Sequence, residues 1–568
     1  MLSPDMPAVS VRGGLYDEDV LVELSTTWGH EIYYTTDGSA PTYQSLKYEG
    51  PIRITDRSGE ENTYRNIKNV VENWEEYEAD TTPVEKGTVV KAVSVSRWGN
   101  TSQVVTETYF VGRDDLIDED AYILSLTADS EELFGEDGIY VTGKEYDDFY
   151  LSNSTQEAEE VVPNFLKRIE IKGNLEIFEK GEQILNQQVG VRIRGNSTRR
   201  HALKDFSLFS RKEYSGNDNF EYPLYGNMKT HSVMFKKFSI DAMISDMLSD
   251  RQAATQKSKK VKVFLNGEFW YDTYMLERYD QDYFKRYYGV KDTVIIDNLL
   301  IAQAKKYETE ENFRALRDWM IQTDFTDNDN WEILQTRIDM QSYIDYMAAN
   351  LYLCNMDVDE ETNYRAWFSE ENEGTPYGDG RWRWALYDMD WMGSGDTNIF
   401  VWRLNNREKN PLYWSFKEND EFCRQFVLSF MDMANNNFSL ENVEQILNAY
   451  GTDLSWKDSF FLKRFDYVTT YLAEEFQLSG TLEPVEISVN DPAGGSVIVN
   501  TSVINLSDKS WSGKYFTDYP ITVTAVPNEG YIFVGWEGDL EQAEGTVTVS
   551  VEGGLDLRAV FERKQENG

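Results

Sequence analysis

The run Trp382-Arg383-Trp384-Ala385-Leu386-Tyr387-Asp388-Met389-Asp390-Trp391 is where residue type and spacing in this 568-residue chain point most directly to chemistry. Side chains alternate along a strand, so Trp382, Trp384, Leu386, Asp388 and Asp390 share one face as long as the strand persists. Carboxylates two positions apart stand about 6.5 Å from each other on such a face. Against tryptophans they repel unless a cation lies beside them, and hard oxygen donors suit Mg²⁺ or Mn²⁺ holding phosphate. An isolated Asp-x-Asp is more often a solvated turn; the flanking pattern favours a site.

A second group is Asn355-Met356-Asp357-Val358-Asp359-Glu360-Glu361-Thr362-Asn363. An Asp that orients an acceptor hydroxyl, followed within a few residues by an Asn that holds metal, is sensible for phosphoryl transfer, which needs positioning and charge neutralisation more than covalent chemistry. Asp357 and Asn363 fit those roles, although the same residue types also favour acidic loops and caps. The third group, Gly190-Val191-Arg192-Ile193-Arg194-Gly195-Asn196-Ser197-Thr198-Arg199 with Lys204, gathers cations beside a turn that can receive triphosphate. A basic hairpin neutralising nearby acid is the competing reading. Gly138-Ile139-Tyr140-Val141-Thr142-Gly143-Lys144 has P-loop spacing, but Glu145 occupies the Ser/Thr position and the intervening residues read as strand, so the match is accidental.

The rest of the composition narrows the classes. Lys and Arg number 55 against 99 Asp and Glu, a net charge of −44, which repels nucleic-acid phosphates and argues against a nucleic-acid partner. The 40% hydrophobic and 14% aromatic content excludes a disordered acidic chain. Two cysteines, Cys354 and Cys423, allow one disulfide at most and read as buried thiols; three scattered histidines leave no His-based centre. Carboxylates must therefore carry any chemistry. No window supports a membrane span, since the candidate around Val294 to Ala304 is broken by Asp297 and Asn298. No secretion signal starts at Met1, so the expectation is either a cytoplasmic chain or one whose signal is already removed.

These groups must be positioned by a multidomain chain. Short alternating runs (Val20–Leu24, Ile32–Thr36, Val89–Ser94) predict a small β-sandwich over residues 1–112, with a Glu- and Asn-rich insert at about 58 to 82. Residues 484–568 again read as all β. Between them, residues 113–483 begin with strands (Tyr122–Thr127, Gly138–Thr142, Arg168–Ile171, Gly190–Arg194, Phe206–Phe209, Val261–Leu265) and turn helical from about Glu310. Tyr343, Met347, Leu351 and Cys354 fall on one helical face, and a strand pair, Tyr364–Phe368 with Arg381–Met389, comes next. The expected fold is a central α+β domain flanked by two small all-β modules.

Three resemblances attach to these segments. Ile32-Tyr33-Tyr34-Thr35-Thr36-Asp37-Gly38-Ser39, Tyr48-Glu49-Gly50-Pro51-Ile52 and Val90-Lys91-Ala92-Val93 resemble the immunoglobulin-like module at the end of chitobiases and hexosaminidases. Gly530-Tyr531-Ile532-Phe533-Val534-Gly535-Trp536 resembles the repeat module of bacterial surface proteins related to internalin B-repeats. The middle segment resembles the CotH family of spore-coat-protein-H-like atypical kinases. The landmarks are Leu133-Phe134 with Gly138-Ile139-Tyr140, the Gly190–Arg199 run with Lys204, Phe220-x-Tyr222-Pro223-Leu224, Val263-Phe264-Leu265-Asn266-Gly267-Glu268-Phe269-Trp270, Glu277-Arg278-x-Asp280, Ile344-Asp345-Tyr346, and the loops at Asn355–Asn363 and Tyr387–Asp390.

The resemblance implies a kinase-like fold using ATP and Mg²⁺ or Mn²⁺ to phosphorylate Ser or Thr of a protein. It implies that Lys204, with Arg192 and Arg194, contacts phosphate, that Asp357 is the base-like aspartate, that Asn363 and Asp390 hold metal with Asp388 assisting, and that Glu277 lies by the nucleotide pocket. The chain departs from the family pattern at Phe235–Asp241, at Tyr271 and in the length of the Asp357–Asn363 interval. The departures keep a second reading open, a catalytically degenerate surface adhesion or glycan-binding protein; a carboxylate glycosidase is a third. The two β modules imply a bacterial extracellular, cell-surface or spore-surface setting, with cell wall or glycan as their ligand.

Overall fold

The computed structural model describes residues 4–118, 120–152, 161–226, 228–236, 240–298, 307–370 and 374–564. The chain folds as two compact units, one of residues 1–239 with 257–278, the other of residues 240–256 with 279–568. The division runs through the expected middle domain, leaving its first strands in one unit and most of its helices, with a small sheet, in the other.

In the first unit the N-terminal sandwich has a five-stranded sheet in the order Gly14–Tyr16, Val105–Val111, Thr88–Ser96, His30–Thr35, Leu46–Lys47, with the pair Val20–Val22 and Ile52–Ile54 beside it. Inward residues such as Val22, Ile54, Val90, Ala92 and Tyr109 make its core, as alternation along the strands requires. Next comes a closed barrel in the order Ala121–Ala128, Glu170–Glu179, Glu182–Ile193, Phe206–Phe209, Ser232–Lys236, Glu268–Glu277, Ser258–Leu265. The last strand closes it by pairing parallel with Ala121–Ala128. Closure satisfies both sheet edges, which suits an element whose interior is filled by Leu126, Leu175, Val191, Val263 and Trp270.

Sandwich and barrel are joined through a carboxylate. Glu176, fully buried, accepts hydrogen bonds from Thr108 N at 2.9 Å, Thr108 Oγ1 at 2.5 Å and Gln183 Nε2 at 2.9 Å. Burial first, then the nearby charge of Glu107, pushes its pKa up to about 8. The insert at 58–82 is bound to the barrel as well: the Glu268 carboxylate receives the peptide N–H groups of Thr63, Tyr64 and Arg65, and Tyr64 stacks on Phe134 at 5.2 Å.

The second unit holds the helices Tyr307–Gln322, Asn328–Gln335, Met340–Tyr352, Asp420–Asn435, Leu440–Ala449 and Leu462–Phe476, and a three-stranded sheet of Val294–Asp297, Arg365–Phe368 and Trp382–Trp384. Asp339, Asn419 and Ser439 cap three of the helices by accepting from backbone N–H groups three residues on. Met340–Tyr352 is buried almost all round, and Tyr343, Met347, Leu351 and Cys354 lie in the core as their spacing predicts. A sandwich of two four-stranded sheets ends the chain. It is fastened by Asp432, which is buried and accepts from Asn500 Nδ2 at 2.9 Å, Thr501 N at 3.0 Å, Thr501 Oγ1 at 2.7 Å and Tyr515 OH at 2.8 Å. Beside it Arg251, also buried, pairs with Asp345 at 2.8 Å and donates to Ser502 Oγ at 2.7 Å.

Three expectations are corrected. Gly138–Thr142 is a turn, because its backbone returns to the preceding helix, Ile139 N to Glu132 O and Tyr140 N to Leu133 O, both 2.9 Å. The strand expected over Arg381–Met389 stops at Trp384. Cys423 is half-buried, while Cys354 is buried; both are free thiols. Of the window Val294–Ala304, residues 299–304 lie outside the described residues. Among the described residues no helix is long and apolar enough to cross a membrane.

Candidate functional site

The candidate site of the second unit begins where the Met340–Tyr352 helix ends. Cys354 turns left-handed at φ +54°, and Asn355 stands immediately after it. Its Oδ1 accepts from Asp357 N at 3.0 Å, while its Nδ2 reaches Asn350 Oδ1 at 3.0 Å and the carbonyl of Asp388 at 3.4 Å. One amide side chain therefore holds both acidic loops. The first loop ends at Asn363, also left-handed at φ +54°, whose Nδ2 donates to Asp357 Oδ2 at 3.1 Å and to Asp357 O at 3.0 Å. Asn tolerates this backbone region better than most residues, which suits it to the position.

The second loop is built differently from its sequence expectation. Leu386 N donates to Ala254 O at 2.8 Å, the Tyr279 hydroxyl lies 2.7 Å from Leu386 O, and Asp388 adopts φ +58°. Strand alternation therefore does not place Asp388 and Asp390 together; a left-handed turn does. A third carboxylate joins them. Asp241, in the first turn of the helix Ile240–Met247 and 3% exposed, accepts from Met389 N at 2.6 Å. Carboxylate oxygens of Asp241, Asp388 and Asp390 lie within 4.8 Å of one another. Three carboxylates so close repel strongly unless a cation is shared, and an all-oxygen donor set fits Mg²⁺ or Mn²⁺. Burial, then the charge of Asp388, raises the Asp357 carboxyl above the ordinary range, with Arg403 and Asn363 opposing. A carboxylate raised in this way accepts a proton more readily near neutrality.

After the site the chain is pinned by Arg464. Its buried guanidinium donates to Tyr352 O at 2.6 Å, Leu351 O at 2.7 Å, Thr397 O at 2.8 Å and Gly395 O at 3.1 Å. The end of the core helix and the segment beyond Asp390 are thereby fixed to each other.

The cationic group in the first unit departs from expectation. Lys204 is buried, and its Nζ donates to Val70 O at 2.7 Å, Arg199 O at 2.6 Å and His201 O at 2.8 Å. Those three carbonyls use all three N–H groups of an ammonium. Burial pushes its pKa down to about 7, opposed by the charge of Glu72. Lys204 thus clamps the insert to the barrel and presents no donor to a phosphate. Arg192 pairs with Glu170 at 2.9 Å and lies over Phe209 at 5.0 Å, the basic-hairpin alternative. Arg194 joins its backbone N to Asp205 O at 2.8 Å, and Glu277 is buried at the end of a barrel strand opposite Val233. The substituted Tyr271 fills core, its hydroxyl 3.1 Å from Lys204 O. Of the other departure, residues 237–239 lie outside the described residues.

Comparison with known families places this geometry. The family described as CotH kinase protein matches residues 191–473. The central segment is a CotH domain. The family described as Fn3 associated matches residues 22–109, the segment with the chitobiase-like motifs, and the divergent InlB B-repeat domain matches residues 485–565. No curated protein matches the chain. The match to the CotH domain begins at Val191, inside the third barrel strand, so the barrel recruits two strands upstream of it. Sequence reasoning missed Asp241 and Asn355 as site residues. Asp241 sits at the edge of a segment recognised only as a departure, and no spacing ties it to residues almost 150 positions away.

Proposed function

We propose that the CotH domain is a divalent-metal-dependent protein kinase that transfers the γ-phosphoryl group of ATP to a Ser or Thr hydroxyl. The convergence of Asp241, Asp388 and Asp390 beside the hydrogen-bonded Asp357–Asn363 pair carries this reading. The metal would neutralise phosphate charge when bound. Asp241, Asp388 and Asp390 are the residues to hold it, and Asn363 fixes the Asp357 carboxylate. Asp357 orients the acceptor hydroxyl and takes its proton as the oxygen bonds to phosphorus and the bond to ADP breaks. The buried, fully used Lys204 supports the alternative, a non-catalytic CotH scaffold, because the phosphate-side cation is withdrawn from that role.

The test is incubation with γ-labelled ATP, with and without Mg²⁺ or Mn²⁺, of the parent, Asp357→Ala and Asp390→Asn, read by label and intact mass. Metal-dependent label lost in both variants supports the kinase; absence of label together with absence of nucleotide binding supports the scaffold. The InlB-type repeat supports a bacterial surface or secreted setting, with the acceptor a protein met there.

A further inference from the structure

The N-terminal sandwich carries two tight Trp-containing turns at one end of its sheet. The strands His30–Thr35 and Thr88–Ser96 pair antiparallel, with His30 opposite Ser96. Trp28 lies two residues before His30 and Trp98 two residues after Ser96, so both turns lie at the same end of neighbouring strands. Each has a Trp followed by a Gly: His30 N closes on Thr27 O at 3.2 Å around Trp28-Gly29, and Gly99 N closes on Ser96 O at 2.9 Å around Arg97-Trp98. Gly29 and Gly99 have φ of +88° and +82°, so both turns require a residue that accepts left-handed backbone. The rings are pushed outward: Trp28 is 98% exposed and Trp98 61%. Arg97 stacks its guanidinium at 3.8 Å on Trp98, which orients that ring.

We infer that Trp28 and Trp98 form a binding platform for a neutral polysaccharide, each indole stacking on the C–H face of a pyranose ring. Size and charge select this occupant. Two tryptophans offer about 150–250 Å² each, well below the roughly 800 Å² per partner of a stable protein interface. The residues flanking the two rings in sequence are mostly polar or small, Thr27, Gly29, Arg97, Gly99, Asn100 and Thr101, and the one exposed apolar side chain placed near them by a hydrogen bond is Met6, next to the Asp5 that accepts from Thr27 Oγ1. The exposed Leu46 lies toward the opposite end of the sheet, beside Tyr34. A net charge of −44 opposes anionic lipid and anionic polymers, whereas an uncharged glycan is not repelled. Sugar hydroxyls find donors and acceptors in the polar turn residues, and the hydrogen-bonded turns hold the rings without ordering a loop on binding.

The experiment is titration calorimetry of the full chain with cellohexaose, chitohexaose and laminarihexaose, with phosphatidylcholine vesicles in parallel. Binding of at least one hexasaccharide with Kd below about 1 mM, weakened tenfold or more in Trp28→Ala/Trp98→Ala and largely restored in Trp28→Tyr/Trp98→Tyr, is the expected result. Because both rings are exposed, the Tm of the double alanine variant should equal that of the parent, which separates lost binding from lost folding. Failure to bind any of the three sugars, equal binding by the double variant, or Trp-dependent binding to vesicles without sugar binding would each overturn the inference. The readout does not depend on ATP, so it stands or falls apart from the kinase reading.

Discussion

Two residues divide the labour of the candidate site between them. Asp241 supplies the third carboxylate, and Asn355 ties the two loops to the core helix through contacts with Asp357 N, Asp388 O, Met389 Sδ and Asn350 Oδ1. Asp241→Asn removes one anionic ligand while keeping a hydrogen-bond acceptor for Met389 N. It is expected to abolish a Mn²⁺-dependent rise in Tm measured by calorimetry, with the metal-free Tm equal to or above the parent's because carboxylate repulsion is relieved. A Mn²⁺ shift of parental size in that variant would remove Asp241 from the metal set. Under the kinase reading, Asp357→Asn keeps the Asn363 contact and removes only the proton acceptor. It should lower kcat about 10²- to 10⁴-fold with little change in KM for ATP, as steady-state label incorporation would show.

At the scale of elements, the junction between the first sandwich and the barrel sets a buried acid beside the apolar contacts of Phe110 with Phe178 and Phe264. The folded pKa of Glu176 is raised to about 8 from an ordinary value of 4.5. Its contribution is therefore fully present below about 4.5 and is lost as pH rises toward 8, since the unfolded chain releases the proton first. Glu176→Gln retains an acceptor for Thr108 N and cannot ionise. Between pH 5 and pH 8.5 its Tm should fall several degrees less than the parent's in differential scanning calorimetry; identical slopes would place the pH dependence elsewhere. Nothing in the linear chain marks Glu176, which is one of 99 acidic residues and occupies an alternating strand position to which pattern alone assigns no neighbour.

At the scale of the whole molecule, buried polar anchors work beside shared apolar cores at the junctions within each unit. Asp432 gathers four donors from the last sandwich, and Asp432→Ala leaves these groups without their acceptor in a dry site. A loss of about 3–5 kcal/mol is expected, read by urea denaturation, with the transition of the C-terminal sandwich separating from that of the helices. The net charge of −44 adds a second effect, because self-repulsion is screened by salt. Raising NaCl from 10 to 150 mM should increase Tm at neutral pH; an unchanged Tm would mean that the acidic groups are already offset locally.

How much of this is legible in the linear chain depends on how local each signal is. The apolar face of Met340–Tyr352, the alternating strands of the two sandwiches and the linked motifs of the CotH domain are short-range patterns, and the structure and the family matches bear them out. Asp357, Asn363, Asp388 and Asp390 stand out along the chain because their loops are acidic and compact in sequence. Their assembly is decided elsewhere: Asp388 and Asp390 stand together through a left-handed backbone at Asp388, and Asp241 reaches them from a helix nearly 150 residues earlier. Lys204 shows the converse, a cation whose type and place in a motif suggest phosphate but whose Nζ is consumed by three carbonyls, one of them 134 residues away. Sequence by itself determined the modules and their order, and singled out Asp357, Asn363, Asp388 and Asp390 as candidates, because propensity, periodicity and charge act over a few positions. Only the tertiary structure decided which of those residues meet and which are spent on holding the fold, because burial and hydrogen-bond satisfaction depend on neighbours that chain separation does not predict.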